Sequence, residues 1–305
     1  MSSSKLMHFK TITDLHRSCG LPQPEHPLVS VIDYSTINIP AMPAGIAFDG
    51  YSIAIKKETA GLKITYGQQK YDFDEGVMLF TAPGQVIKIE AIQDTAARHS
   101  GWILFIHPDF LWHTSLAKTI KRYEYFNYSV HEALFLSDKE ENIINTIVQN
   151  IRQEYYSNID HFSQGIVIAH LETLLSYAER FYHRQFITRK KANHQLLNRL
   201  EAVIDDYFNK GELTTGGLPS VQLIAGRLNV SAAYLSRMLK ILTGQSTQQH
   251  IQDKLIEKAK EKLSTTDLSV SEIAYQLGFE HSQTFSRLFK SKTNQSPVEF
   301  RASFN

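Results

Sequence analysis

The sequence predicts an α+β chain, with short strands in its first part and helices alone in its last. Three observations carry that reading. Between about Leu28 and Tyr128, apolar residues alternate in short runs broken by turn signals about every ten residues. From Ile144 onward they recur at three- and four-residue spacing. The carboxy-terminal third matches itself at an offset of 49 or 50 residues. At 305 residues the chain has room for about two domains. Its 42% hydrophobic and 21% charged composition excludes a disordered chain, a collagen-like chain and a small disulfide scaffold.

The strands follow in order. Ser52-Ile53-Ala54-Ile55 alternates. Leu62, Ile64 and Tyr66 alternate before Gly67-Gln68-Gln69, and Tyr71 and Phe73 after it, which predicts a hairpin. Val77 to Phe80 ends at the turn Ala82-Pro83-Gly84, and Val86 to Ile89 resumes. Gly101 to Ile106 reads as a short buried strand stopped by His107-Pro108. Together these predict a small antiparallel barrel or sandwich. The helices come next. Ile144, Ile147, Val148, Ile151 and Tyr155 share one helical face; Ile168, Leu171, Leu175, Ala178 and Phe181 share another. They predict helices at about 139–157 and 163–184. Gln185 to His194, with Arg189-Lys190-Lys191, reads as a polar basic linker, and Gln195 to Asn305 as wholly helical. The expected organisation is therefore 1–135, a β domain; 136–184, a helical pair; 185–194, a linker; and 195–305, a helical domain.

The repeat is specific. Ile224-Ala225 matches Ile273-Ala274, Leu228 matches Leu277, and Leu235 to Lys240 matches Phe285 to Lys290. Each copy is a short helix, a break (Asn229-Val230-Ser231 or Gly278-Phe279-Glu280) and a second helix, the helix-turn-helix pattern. On each second helix, Leu235, Met238 and Leu239, or Phe285, Leu288 and Phe289, lie on one side. Ala233, Ser236, Arg237 and Lys240, or Gln283, Ser286, Arg287 and Lys290, lie on the other. Arg pairs bidentately with guanine and Gln with adenine; Ser serves either, and small residues admit the helix to a major groove. Lys240 and Lys290 suit phosphates. Ser246 and Gln249 begin a linking helix of about 18 residues, roughly 27 Å long, against about 34 Å between half-sites one DNA turn apart. One chain is thus expected to place two reading helices in successive grooves of double-stranded DNA. The charge of residues 194–305, 13 basic against 11 acidic, adds little to this.

These stretches resemble the AraC/XylS family of bacterial transcription regulators. The resemblance is carried by Ile224 to Ser231, Tyr234 to Arg237, Thr243 to Ser246, Ala259 to Leu263, Leu268 to Ala274, Leu277-Gly278-Phe279, Phe285 to Lys290 and Ser296 to Arg301. It implies two helix-turn-helix units joined by one long helix. It puts base reading on Ala233, Ser236 and Arg237 in the first unit and on Ser282, Gln283, Thr284 and Arg287 in the second. Asn294 stands where Gly is usual, Lys254 where Arg is usual and Leu239 where Phe is usual. Tyr71 to Gly76 through Pro83-Gly84, and Gly101-Trp102 through Phe110, are similar to the family's amino-terminal cupin-like barrel. That implies a small-molecule effector, helices that pair two subunits into a homodimer, activation of transcription, and RNA polymerase as a further partner. The apolar stripes of the two helices read either as packing on their own barrel or as a subunit interface, and the interface is expected through the second, around Ile168, Leu171, Leu175 and Phe181.

Other constellations imply no catalyst. His107 and His113 flank Asp109 across a proline, which a strand end and a Pro-started turn explain without a metal. Asp72, Asp74 and Glu75 read as a solvated hairpin end. No nucleophile elbow, P-loop or dinucleotide motif is present, and no catalytic residue or cofactor is expected. Tyr34, Tyr51, Tyr66, Tyr71 and Trp102 are candidates for lining a ligand cavity or equally for core packing. The single cysteine, Cys19, excludes an internal disulfide and fits a reducing cytosol. With no signal peptide at the start and no apolar run long enough for a membrane, a cytoplasmic location is expected. The alternatives are an effector-independent dimeric regulator and a cupin-type enzyme fused to a DNA-binding domain.

Overall fold

A computed structural model describes residues 6–37, 45–57, 76–88, 100–128, 132–157, 160–188 and 190–303. The chain divides into two compact units, Met1–Gln185 and Phe186–Asn305. The first holds β1 (Leu6–Phe9), α1 (Ile12–Ser18), β2 (Val29–Asp33), β3 (Gly45–Phe48), β4 (Tyr51–Lys57), β5 (Val77–Thr81), β6 (Val86–Lys88), β7 (Ser100–Ile106), α2 (Ser115–Thr119), β8 (Leu134–Phe135) and α3 (Asp138–Tyr156), and α4 (Ser163–Thr188) begins in it. The α+β class stands as expected. The hairpin expected across Leu62–Phe73, and with it Tyr66, Tyr71, Asp72, Asp74 and Glu75, lies outside the described residues.

Two sheets form, in the orders β1-β3-β6 and β2-β7-β4-β5-β8. Phe9, Ile12, Leu15, Ile32, Phe48 and Phe105, drawn from both sheets and α1, are buried in one cluster. Phe48 and Phe105 meet edge-on across it, 5.1 Å between ring centres. β5, read as a short apolar run, alternates in burial: Met78 and Phe80 are buried, and Val77, Leu79 and Thr81 half-buried. At Gly101, φ is +114° and a β-carbon would collide with the Ile55 carbonyl oxygen of β4, so only glycine fits this register. Two features depart from the sequence reading. β1 pairs β3 in parallel rather than antiparallel, which α1 and β2 make feasible by lengthening the connection. Residues 108–127 hold short helical turns although the strand-rich reading extends to Tyr128; the Pro-started turn expected after His107 forms at Pro108–Leu111.

The helical pair folds within the first unit. Ser137 and Glu140 cap α3 reciprocally, and its expected stripe, from Ile144 to Tyr155, is buried. Tyr155 Oη accepts from Val31 N at 2.8 Å, and Trp102 Nε1 donates to Asn145 Oδ1 at 2.7 Å. Trp102 therefore reaches toward α3. Tyr51 meets Phe126 edge-on at 5.1 Å and Tyr34 lies under Lys56, so these three expected cavity candidates pack on protein. Burial pushes the Tyr155 phenol up to about 12 from its usual 10.0. Between those pH values the folded chain holds a proton the unfolded chain has lost, so stability falls as pH rises through that window. Urea midpoints measured from pH 9 to about 12 should show a slope that Tyr155→Phe reduces.

Two expectations are corrected here. Ile168, Leu171, Leu175 and Phe181, expected at a subunit interface, are 5%, 0%, 1% and 5% exposed in a single chain. Their stripe packs on its own unit, where Tyr125 Oη donates to the Leu175 carbonyl. The described residues of the expected linker 185–194 are helical: α4 continues to Thr188, and α5 is Lys190–Asn209. Gln185 is buried and bonds to Phe135 N and the Ala133 carbonyl, while Phe186 is buried against Tyr234. The polar and basic composition masked these anchors. The second unit continues with α6 (Glu212–Gly216), α7 (Val221–Leu228), α8 (Ala232–Thr243), α9 (Thr247–Thr265), α10 (Val270–Gln276), α11 (Ser282–Thr293) and α12 (Pro297–Ala302). No described helix is long and apolar enough to cross a membrane.

Candidate nucleic-acid interface

The two copies of the repeat fold alike. Ser220 caps α7 by accepting from Leu223 N, and Ser231 caps α8 by accepting from Tyr234 N. Ser269 and Glu272 cap α10 reciprocally. The turns carry the same backbone bond: Val230 N donates to Ala225 O at 3.1 Å and Phe279 N to Ala274 O at 3.0 Å. Asn229 and Gly278 take the left-handed conformation the turn requires, with φ of 56° and 80°. Asn294 ends α11 in the same conformation at φ 60°, so asparagine serves where glycine was expected. All three capping pairs read from sequence, Ser246–Gln249, Ser269–Glu272 and Ser296–Glu299, form. Hydrogen bonds from the Ser269 side chain and then its backbone hold the Glu272 carboxyl below its usual range; the Ser296 backbone and then its side chain hold Glu299 low likewise.

The inner faces match the sequence reading with one departure. Leu235, Met238, Leu239, Phe285 and Phe289 are 0% exposed, while Leu288 is only half-buried. The outer faces differ between copies. On α11, Gln283, Thr284, Arg287 and Lys290 are exposed, and Ser282 and Ser286 half-buried. On α8, Lys240 is exposed but Ala233, Ser236 and Arg237 are half-buried. Ser236 Oγ lies 3.3 Å from Thr247 Oγ1, and Lys240 Nζ donates to the Gly244 carbonyl at 2.9 Å. All ten expected residues thus fall on α8 and α11, with the open polar face on α11.

α9 joins the units. Its 19 residues span about 28 Å. Lys254, standing where arginine is usual, pairs with Asp205 of α5 at 3.2 Å, and that bond raises its pKa. Arg301 of α12 donates to the Leu263 carbonyl at 3.2 Å and the Leu268 carbonyl at 2.6 Å, fixing the far end of α9. Two features escaped the sequence reading. His281 precedes α11, exposed and without a side-chain cap bond, where α7, α8, α9, α10 and α12 have serine. Asp253 and Lys292 pair at 2.7 Å across 39 residues. A contact at that separation leaves no local pattern to read.

A family model described as a helix-turn-helix domain matches residues 224–303. The chain is 31% identical over 144 residues to YfiF of Bacillus subtilis, an uncharacterized HTH-type transcriptional regulator, covering 47% of this chain and 42% of that protein. It is 29% identical over 160 residues to RhaS of Salmonella paratyphi A, an HTH-type transcriptional activator, covering 51% and 55%. Among solved structures, the C-terminal domain of the two-component response regulator yesN from Fusobacterium nucleatum is 33% identical, covering 33% of this chain and 96% of that one at a TM-score of 0.29. The chain spans about half the length of the curated relatives it matches. Residues 224–303 of its carboxy-terminal unit are a helix-turn-helix domain. Over that domain the chain is similar to HTH-type transcriptional regulators.

Proposed function

We propose that the chain is a sequence-specific DNA-binding transcription activator whose DNA affinity responds to a small-molecule effector held in its first unit. The observation that carries the DNA reading is the open face of α11, Gln283, Thr284, Arg287 and Lys290, on the second of two like-folded units. Gln283 and Arg287 offer bidentate base contacts, Lys290 a phosphate contact, and Ser282, Thr284 and Ser286 shorter polar contacts. On α8 Ala233 offers a methyl group, with Ser236 and Arg237 beside it and Lys240 at the phosphate position. Activation is supported by the description of RhaS as an activator. A separate compact β unit supports an effector domain. A homodimer in the cytoplasm, working with RNA polymerase, completes the reading. Its interface lies outside the buried stripe of α4.

The test is selection of bound sites from random duplex DNA by the full-length protein at about 0.15 M salt. Enrichment of two motifs about one helical turn apart supports the reading. Absence of any enriched site, with and without candidate metabolites, counts against it. On the selected site Arg287→Ala should weaken binding by about 1–3 kcal/mol and relax one base position. An equal loss on unrelated DNA would remove Arg287 from base reading. A thermal shift with a metabolite, absent from residues 190–303 alone, would locate the effector in the first unit.

A further inference from the structure

One carboxylate stands between the ends of both reading helices. Asp253 lies in the second turn of α9. Its Oδ1 accepts from Lys292 Nζ at 2.7 Å, and its Oδ2 accepts from Gln245 Nε2 at 3.1 Å. Lys292 belongs to the last turn of α11, and Gln245 follows Gly244, the cap of α8. The side chains of Asp253 and Lys292 are 39% and 26% exposed, so neither partner is free in solvent. The neighbouring charges are engaged elsewhere: Lys254 with Asp205 and Glu257, and His250 with Thr243.

This contact is not part of the repeat. At the offset of 50 that superimposes the reading helices, Lys292 corresponds to Leu242 and Asp253 to Ser303. The caps and turns recur because each unit needs them to fold. A polar bridge present once, joining α11 to the α8 end through α9, serves neither unit alone. It acts on their relation. A partly exposed pair adds little stability, yet it selects among orientations that packing leaves close in energy.

We propose that Asp253 is a positioning residue that sets the spacing of α8 and α11, and with it the spacing of half-sites the chain accepts. The second part rests on the DNA reading above; the first does not. The test uses the full chain with Cys19→Ala, since Cys19 is its sole cysteine. Spin labels at Lys240→Cys and Lys290→Cys report the distance between the helices by electron–electron resonance without DNA. Asp253→Asn and Lys292→Ala should each broaden the distance distribution, Asp253→Glu should keep it narrow, and the melting midpoint should hardly move. In site selection with unlabelled protein, preference for one half-site spacing over its neighbours should fall about threefold in Asp253→Asn. A distribution as narrow as that of the parent overturns the proposal, as does a broadened one with the half-site spacing unchanged. Broadening in a protein whose unmutated form selects no site supports the positioning role and sinks the DNA reading instead.

Discussion

Replacing Gly278 by alanine is expected to destabilise the second helix-turn-helix unit by about 2–4 kcal/mol, combining left-handed strain with a steric collision. The backbone there has φ +80°, which costs an L-residue energy by itself. A β-carbon would also stand 2.6 Å from the Leu213 carbonyl oxygen and 3.1 Å from Gly217 Cα. Both obstacles are backbone atoms, so no rotamer change relieves them. The first unit supplies the control. Asn229 occupies the matching place at φ 56°, so the turn alone does not demand glycine. Gly278→Asn should therefore behave almost as badly as Gly278→Ala, because it satisfies the dihedral and not the space. Urea unfolding of both variants checks this. If Gly278→Asn proves as stable as the parent, the constraint is the dihedral alone, and the close approach to Leu213 and Gly217 plays no part.

That contrast shows where the sequence was readable. Caps are local: Ser246–Gln249, Ser269–Glu272 and Ser296–Glu299 lie three residues apart and form as read. The buried faces of α3, α8 and α11 follow from periodicity, since a helix places residues three and four apart on one side. What surrounds a face is not periodic. The stripe of α4 was legible as apolar, but the partner it buries against was not, and the stripe packs on its own unit. The same limit applies at α8. Ser236 and Arg237 lie on the outer side as expected, yet they are half-buried, with Thr247 beside Ser236. The stretch 185–194 failed differently. Its lysines and arginine suggested a linker, but such residues are good helix formers, and Gln185, Phe186 and Asn193 anchor it by contacts that composition does not reveal.

The larger of the two effects belongs to Phe285→Ala, at about 3–5 kcal/mol, the cost of removing a buried aromatic and leaving a cavity. Phe285 is 0% exposed and lies between two others in a chain of four rings. Phe279 lies 5.5 Å away on the turn side and Phe289 5.8 Å away along α11; Phe289 continues to Phe300 of α12 at 5.5 Å. Removing this ring takes away the contact that ties the turn at Phe279 to Phe289, the residue on which α12 packs through Phe300. Domains of this size hold only about 5–15 kcal/mol in total, so the loss should unfold the second copy in a large share of molecules at 37 °C. The first copy keeps its own core of Leu235, Met238 and Leu239, all 0% exposed. Hydrogen exchange should therefore show protection lost over α10 to α12 and kept over α7 and α8. Site selection should then return one motif instead of two, with a shallower dependence of affinity on salt as the Lys290 contact is lost. Arg287→Ala, in contrast, should keep full protection while relaxing one base. If Phe285→Ala instead lost protection equally over both copies, the two units would fold as one cooperative block. The repeat would then describe their ancestry and geometry but not their stability.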